Sequence, residues 1–164
     1  SGNLGLKKDG TVVTWYINGW NVSENFQPSF PDLSNIIAIS NQGEYYAALR
    51  KDGTVVAWKV LDTSPENAGT VVPIHVVNNL TEIRAISAGY DHGLAMRQDG
   101  TVFSWTEDSL RPLNLTDIAE ISASGYTDLA LKNDGSIIAW GQDVQYHQDF
   151  NAVIPEGWLI IARR

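Results

Sequence analysis

Four copies of a ten-residue block constrain the fold of this chain more than any other feature. Each copy has Asp-Gly at its centre, apolar residues before the turn, and β-branched or aromatic residues leading to a Trp. Asp-Gly between such runs is the strongest short-range signal for a β-hairpin, because Gly accepts the positive φ that a tight turn requires. The sequence therefore predicts four hairpins. The blocks are residues 6–15 (LKKDGTVVTW), 49–58 (LRKDGTVVAW), 96–105 (MRQDGTVFSW) and 131–140 (LKNDGSIIAW).

A second repeated segment precedes three of the hairpins, at residues 36–40, 83–87 and 118–122. Apolar residues at alternate positions predict a buried β-strand in each. The spacing from this strand to the Asp-Gly turn is constant, so the two belong to one repeat unit. Length varies only between the Trp and the next strand, which is typical of loops on one side of a repeat protein.

Units of about 40 residues with no helical pattern predict an all-β fold, a β-propeller of about four repeats of four-stranded blades. The chain would be a single propeller domain over residues 1–164, or half of a propeller. The repeat units are residues 1–16 together with 141–164, 17–58, 59–105, and 106–140.

The two ends of the chain resemble two parts of one repeat. Residues 158–162 (WLIIA) are similar to the pre-hairpin strand, whereas residues 4–6 lead directly into the first hairpin. We therefore expect the terminal blade to be split between the N- and C-termini, which would remove exposed sheet edges. Three assemblies satisfy this pattern: a four-blade ring in one chain, two chains joined head to tail, or part of a longer array.

The composition limits the classes of partner. The net charge is −8, with 11 basic against 19 acidic residues, which argues against nucleic acid and anionic membranes and favours a protein with a basic surface. Cysteine is absent, so neither disulfides nor thiolate metal sites are expected. No apolar run approaches the roughly 20 residues of a membrane span. Sequons at Asn21, Asn79 and Asn114 could be glycosylated in a secreted protein, but Asn and Thr are also common in turns, and this second reading is favoured. The sequence leaves the compartment open, with a secreted or cell-surface protein slightly favoured.

Catalytic patterns are also missing from the sequence. There is no zinc-protease, nucleophile-elbow or phosphate-loop motif, and the three histidines lie in different repeats. Each Asp of the Asp-Gly pairs is isolated, which indicates turn chemistry and not a calcium loop. We expect no enzyme activity, no cofactor and no metal site.

The repeats resemble the regulator of chromosome condensation family of seven-bladed propellers. The resemblance rests on residues 86–95 (ISAGYDHGLA), on 99–102 (DGTV) with Ser104-Trp105, and on Trp140-Gly141. It is closest to short bacterial repeats such as those of the β-lactamase inhibitory protein of this fold. The signature His of the family occurs only as His92. The resemblance implies a propeller that serves in nucleotide exchange, enzyme inhibition, ligase accessory or structural roles.

Aromatic residues outside the hairpins are the main candidates for binding. Three Tyr residues occupy nearly equivalent turns before the hairpins, so they are expected on one face of the propeller, with acidic residues beside them. Tyr and Trp dominate binding hot spots because they bury a large area with few rotatable bonds. The sequence therefore predicts a protein-binding or scaffold module. Two alternatives stay open: a lectin in which Trp20 or Trp158 stacks on sugars, and an inhibitor or exchange factor by resemblance. The predicted binding residues are Tyr45, Tyr90, Asp91, Tyr126, Trp20, Trp158 and Asp143.

Overall fold

The computed structural model describes residues 2–18, 21–23, 31–61, 70–125 and 127–141. These residues form β-strands and a short 3₁₀ helix, His75–Asn79. The strands are β1 Gly2–Leu6, β2 Val12–Asn18, β3 Asn21–Ser23, β4 Ile36–Gln42, β5 Tyr45–Arg50, β6 Val55–Leu61, β7 Thr70–Pro73, β8 Ile83–Ala88, β9 Gly93–Arg97, β10 Val102–Trp105, β11 Leu110–Leu113, β12 Ile118–Ser124, β13 Thr127–Lys132 and β14 Ile137–Gly141.

The strands form four antiparallel sheets in which sequence neighbours pair. Blade 1 is β1–β3, blade 2 is β4–β7, blade 3 is β8–β11 and blade 4 is β12–β14. Contacts between the first strands link β4 to β8 and β8 to β12, while β1 contacts β4, so the blades follow one another in chain order. The predicted all-β propeller fold is confirmed, and so are the four hairpins and the three pre-hairpin strands.

The Asp-Gly turns join the two hairpin strands in the same way in all four blades. The four turn glycines have φ between 81° and 86°. The Asp carboxylate of each turn accepts a hydrogen bond from the backbone N–H two residues later, at 2.9 Å from Thr11 N to Asp9 Oδ1 and at 3.0 Å from Thr54 N to Asp52 Oδ1. Asp99 and Asp134 make the same contact. For Asp9 and Asp99 this backbone bond is the main cause that lowers the carboxyl pKa. For Asp52 and Asp134 the hydroxyl hydrogen bond from Thr54 or Ser136 lowers the pKa most, and the backbone bond adds to it.

A residue in the left-handed conformation precedes the first strand of blades 2, 3 and 4. These strands, β4, β8 and β12, are called the inner strands below. Asn35, Glu82 and Asp117 have φ of 55°, 60° and 59°. Their carbonyl groups accept hydrogen bonds from the hairpin turn of the same blade, at 2.8 to 3.0 Å. This backbone conformation is tolerated by Asn and Asp but is uncommon for Glu. Because Glu82 occupies the position in blade 3, the sequence pattern did not reveal that the three blades share this conformation.

The hydrophobic core lies between the blades. In β5, Tyr45, Ala47 and Leu49 face blade 3, whereas Tyr46 and Ala48 face blade 1. Successive side chains of a strand point to opposite faces of its sheet, so a sheet that packs on both sides needs an uninterrupted apolar strand. A third apolar cluster joins blades 3 and 4. Successive blades are therefore stacked layers, and blades 2 and 3 are covered on both sides.

The predicted terminal closure falls partly outside the described residues. Residues 158–162 are not among them, so the split blade remains a prediction. The sheets also divide the chain differently from the repeat units: β7 lies in unit 59–105 but pairs with β6 of the preceding unit, Trp58 opposite Pro73. The fourth strand of blade 2 thus lies within the segment of variable length between Trp58 and the next inner strand.

Candidate protein-binding face

The turns that follow the inner strands emerge at one end of the blades, opposite to the Asp-Gly hairpins. This inner-turn face consists of residues 43–44, 89–92 and 125, together with the β10–β11 loop at residues 106–109. Antiparallel pairing places these four segments at the same end. The opposite end, the hairpin face, consists of the Asp-Gly turns at residues 7–11, 50–54, 97–101 and 132–136 and of the residues that precede the inner strands, 34–35, 81–82 and 116–117.

Tyr90 lies at the centre of the inner-turn face. Its ring packs on the blade 2 turn so closely that a Cβ at Gly43 would lie 3.0 Å from the Tyr90 Cδ2 atom. Its backbone N–H donates a 3.2 Å hydrogen bond to the Gly125 carbonyl in blade 4. Tyr90 therefore spans three blades, and 52% of its surface is exposed.

His92 bridges blades 3 and 4 beneath this face. Its Nε2 atom is 2.7 Å from Asp128 Oδ1, and its Nδ1 atom is 3.0 Å from Asp91 Oδ1. Asp128 is buried, whereas Asp91 is exposed. The hydrogen bond with Asp128 is the main cause that raises the pKa of His92, and Asp91 adds to it, while burial opposes both. Protonated His92 is thus held between two carboxylates.

A second polar contact joins blades 2 and 3. The Lys59 ammonium group pairs with Glu107 in the β10–β11 loop and lies 5.5 Å from the centre of the Tyr45 ring. The hydrogen bond with Glu107 raises the pKa of Lys59. Lys59 therefore covers Tyr45, whose own pKa is raised by burial.

The inner-turn face is acidic. Its loops contain Glu44, Asp91, Glu107 and Asp108 and no Lys or Arg among the described residues. The neighbouring cation Lys59 and the imidazole of His92 are both engaged with carboxylates. The face consequently combines a half-exposed aromatic ring with an excess of negative charge.

The predicted binding residues divide into three groups. Tyr90 and Asp91 lie together on the inner-turn face and are exposed. Tyr45 is only 5% exposed, because it packs between blades 2 and 3 under Lys59, so the expected presentation of its ring is corrected. The other four residues lie outside the described part of the chain: Tyr126, Trp20, Trp158 and Asp143.

Sequence reasoning missed the partnership of His92 with Asp128. Asp128 interrupts an apolar hairpin strand, Thr127–Lys132, at the position that Tyr46 and Gly93 occupy in blades 2 and 3. A carboxylate in a buried strand needs a polar or cationic partner, and this signal was available. Identifying the partner required the packing of the blades.

Neither a metal site nor a membrane-spanning helix occurs in the described residues. Within the described residues, no cluster of three or more His, Cys, Asp or Glu side chains has the arrangement of a metal site. The same part of the chain contains no helix with the length and apolar character needed to cross a bilayer.

Comparison with known proteins agrees with this geometry. The family described as "Regulator of chromosome condensation (RCC1) repeat" matches residues 83–105, which include Tyr90, His92 and Trp105. The predicted resemblance is confirmed. No curated protein matches the chain in sequence.

Solved RCC1 propellers share the fold at low identity. Human WBSCR16 is 18% identical with a TM-score of 0.62, over 87% of this chain and 46% of that one. Yeast RCC1 (Prp20) bound to Kap60 is 19% identical with a TM-score of 0.61, over 86% and 40%. Prp20p from Saccharomyces cerevisiae, studied with Gsp1p and histones, is 18% identical with a TM-score of 0.62, over 86% and 41%. The chain spans less than half of the length of these proteins, and at this identity the likeness establishes the fold alone.

Proposed function

We propose that this RCC1-like chain is a non-catalytic protein-binding module whose inner-turn face contacts a basic surface of another protein. The observation that carries the proposal is Tyr90, a half-exposed residue whose ring lies against Gly43 and whose backbone N–H donates a hydrogen bond to the Gly125 carbonyl. A ring that packs on a neighbouring turn, on a backbone held by another blade, loses little conformational entropy on binding, which is typical of an interface hot spot.

The charge of the surroundings favours a basic partner. Asp91 follows Tyr90 in the same turn, and Glu107 and Asp108 lie in the β10–β11 loop of the same blade. All three residues are exposed. Complementary charge at the rim of an interface accelerates association and selects the partner. Tyr90 would therefore supply contact area, while the carboxylates supply specificity.

The similar structures support this role as an analogy. Yeast Prp20 was solved with Kap60 bound, and Prp20p was studied for binding to Gsp1p and histones. These properties belong to those proteins, and a shared fold does not transfer them. An exchange-factor or inhibitor role rests on this analogy alone. The lectin alternative rests on Trp20 and Trp158, which lie outside the described residues.

Selection of peptides from a random display library tests the proposal without knowledge of the partner. We expect the wild-type chain to enrich peptides that contain Lys or Arg. Those peptides should lose about thirtyfold or more in affinity for Tyr90→Ala, because truncating a hot-spot residue costs at least about 2 kcal/mol. Asp108→Lys should weaken binding through charge reversal, and the remaining affinity should depend less on salt.

The matched control is Ile37→Ala. Ile37 is an exposed large apolar residue at 54% but lies in β4, outside the inner-turn face. We expect this variant to bind the selected peptides like the wild type. Equal binding by wild-type and Tyr90→Ala chains, or enrichment of acidic peptides, would contradict the proposal. The partner proposed here is a different protein.

A further inference from the structure

Each of blades 1 to 3 packs on the blade that follows it through side chains at the same three positions of the repeat, which are called the register set. In the first three blades this set consists of two residues of the first hairpin strand and one of the second, at constant distances from the Asp-Gly turn. In blade 1 these side chains pack on blade 2, and in blade 2 they pack on blade 3. In blade 3, Met96 and Val102 pack on blade 4, and Leu94 is fully buried. The three sets are Leu4, Leu6 and Val12; Ala47, Leu49 and Val55; Leu94, Met96 and Val102.

Blade 4 carries the same set without a described neighbour. The corresponding residues are Leu129, Leu131 and Ile137. Leu129 is 37% exposed, whereas Ala47 and Leu94 at the same position are fully buried. None of the three residues belongs to a buried apolar cluster of the described chain, although Ala130 and Ile138 on the opposite side of the sheet pack on blade 3.

A series of serine hydrogen bonds ends at the same place. Ser40 Oγ accepts a 2.9 Å hydrogen bond from Ala88 N in the next blade, and Ser87 Oγ accepts one of 2.8 Å from Ala123 N. Ser122 is the third member of the series and is exposed. Blade 4 therefore presents both the apolar set and the polar acceptor that bind a following blade elsewhere in the chain.

Blade 1 has the complementary register set. Side chains that face the preceding blade include Ala48, Val56 and Trp58 in blade 2, and the equivalent residues of blade 4 pack on blade 3. In blade 1 the same register positions are Gly5, Val13 and Trp15. The first blade of the chain thus has the sequence of a following blade, while Leu129 of blade 4 is exposed.

We propose that blade 4 binds blade 1 of a second copy of this chain, head to tail, through Leu129, Leu131 and Ile137. The proposed contact repeats the apolar contact that the chain already forms three times, between blades 1 and 2, 2 and 3, and 3 and 4. Head-to-tail contacts of this kind close into rings when the rotation per subunit permits.

Light scattering coupled to size-exclusion chromatography tests the proposal. The chain has a mass of 18.0 kDa, and we expect the wild type to elute at twice that mass at high protein concentration and to dissociate on dilution. Leu129→Asp should elute at the mass of one chain, because an ionised carboxylate would be buried in the contact. Ile137→Asp tests the same contact at a second position of the apolar set. Ile37→Asp is the matched control, an exposed apolar residue outside this surface, and should keep the wild-type mass.

A mass above that of one chain, reduced by Leu129→Asp or Ile137→Asp but not by Ile37→Asp, would support the proposal. A wild type that stays at the mass of one chain at every concentration would overturn it, as would association that all three variants retain. A single-chain mass combined with a lower melting temperature for Leu129→Asp would assign the surface to another segment of the same chain.

Discussion

The two ends of the blades are built on opposite principles. The hairpin face repeats one turn four times, with Gly at φ between 81° and 86° and an Asp that accepts the same backbone hydrogen bond. The inner-turn face has a different turn in each described blade, Gly43–Glu44, Gly89–His92 and Gly125. Repetition at one end provides the scaffold, and variation at the other end provides surfaces that can recognise a partner.

Charge follows the same division. The six Lys and Arg residues of the four hairpin turns are balanced by their four Asp residues together with Glu82 and Asp117. The loops of the inner-turn face carry four carboxylates and no Lys or Arg. The comparison indicates that stability is concentrated in the repeated backbone of the hairpin face, whereas the inner-turn face depends on individual side-chain contacts.

The largest expected effect is at the hairpin face. A Cβ at Gly53 would lie 3.2 Å from the Ile83 backbone nitrogen of the next blade, and φ is 81°. Gly53→Ala should lower the free energy of unfolding by roughly 2 to 3 kcal/mol through left-handed strain and the inter-blade contact. Gly135 has φ of 86°, and no described atom lies within 4 Å of a Cβ built there. Gly135→Ala should therefore show the backbone strain alone, roughly 1 to 2 kcal/mol. Urea denaturation measures both, and equal losses would contradict an inter-blade contribution.

A smaller loss is expected beneath the inner-turn face. Asp128→Asn keeps the shape of the side chain but removes the charge that faces His92 across a 2.7 Å contact. The free energy of unfolding at about pH 6 should fall by about 1 to 2 kcal/mol, since charge-assisted hydrogen bonds are stronger than neutral ones. Asp91→Asn, on the exposed side of the same imidazole, should cost less than about 0.5 kcal/mol. The comparison fails if Asp91→Asn is the more destabilising variant in urea denaturation.

The smallest effect is a pH dependence confined to this pair. The pKa of His92 is raised in the folded state, mainly by Asp128, so the folded chain binds the proton more tightly than the unfolded chain. The stabilisation is fully present below the unfolded value of about 6.5 and is lost as pH rises through the higher folded pKa. Denaturation midpoints from about pH 5 to about pH 9 should converge for wild-type and His92→Gln chains at the alkaline end. A difference that is constant across this range would exclude the titration of His92 as its cause.

The sequence was sufficient to predict the scaffold because each element has a local signal. Asp52-Gly53 and its three equivalents specify turns, and the alternating residues of 36–40 specify a strand, whatever surrounds them. Side-chain burial is not local in this sense. Tyr45 and Tyr90 stand two register positions apart, at seven and nine residues before the Asp of the following Asp-Gly turn. Tyr45 is nevertheless buried under Lys59, and Tyr90 is exposed on Gly43. Which of them binds a partner depends on the neighbouring blade, and the repeat pattern contains no such information.

The His92–Asp128 pair has a consequence for how four similar blades find their correct order. The position opposite the repeated Trp holds Tyr46 in blade 2, Gly93 in blade 3 and Asp128 in blade 4. If blade 4 packed on blade 2 by mistake, Asp128 would meet Tyr45 in place of His92 and would lose its imidazole partner. Misassembly of neighbouring units is a characteristic failure of repeat proteins during folding, and the loss of a buried partner of this kind penalises it. The His92–Asp128 pair thus favours the packing of blade 4 on blade 3 over its packing on blade 2.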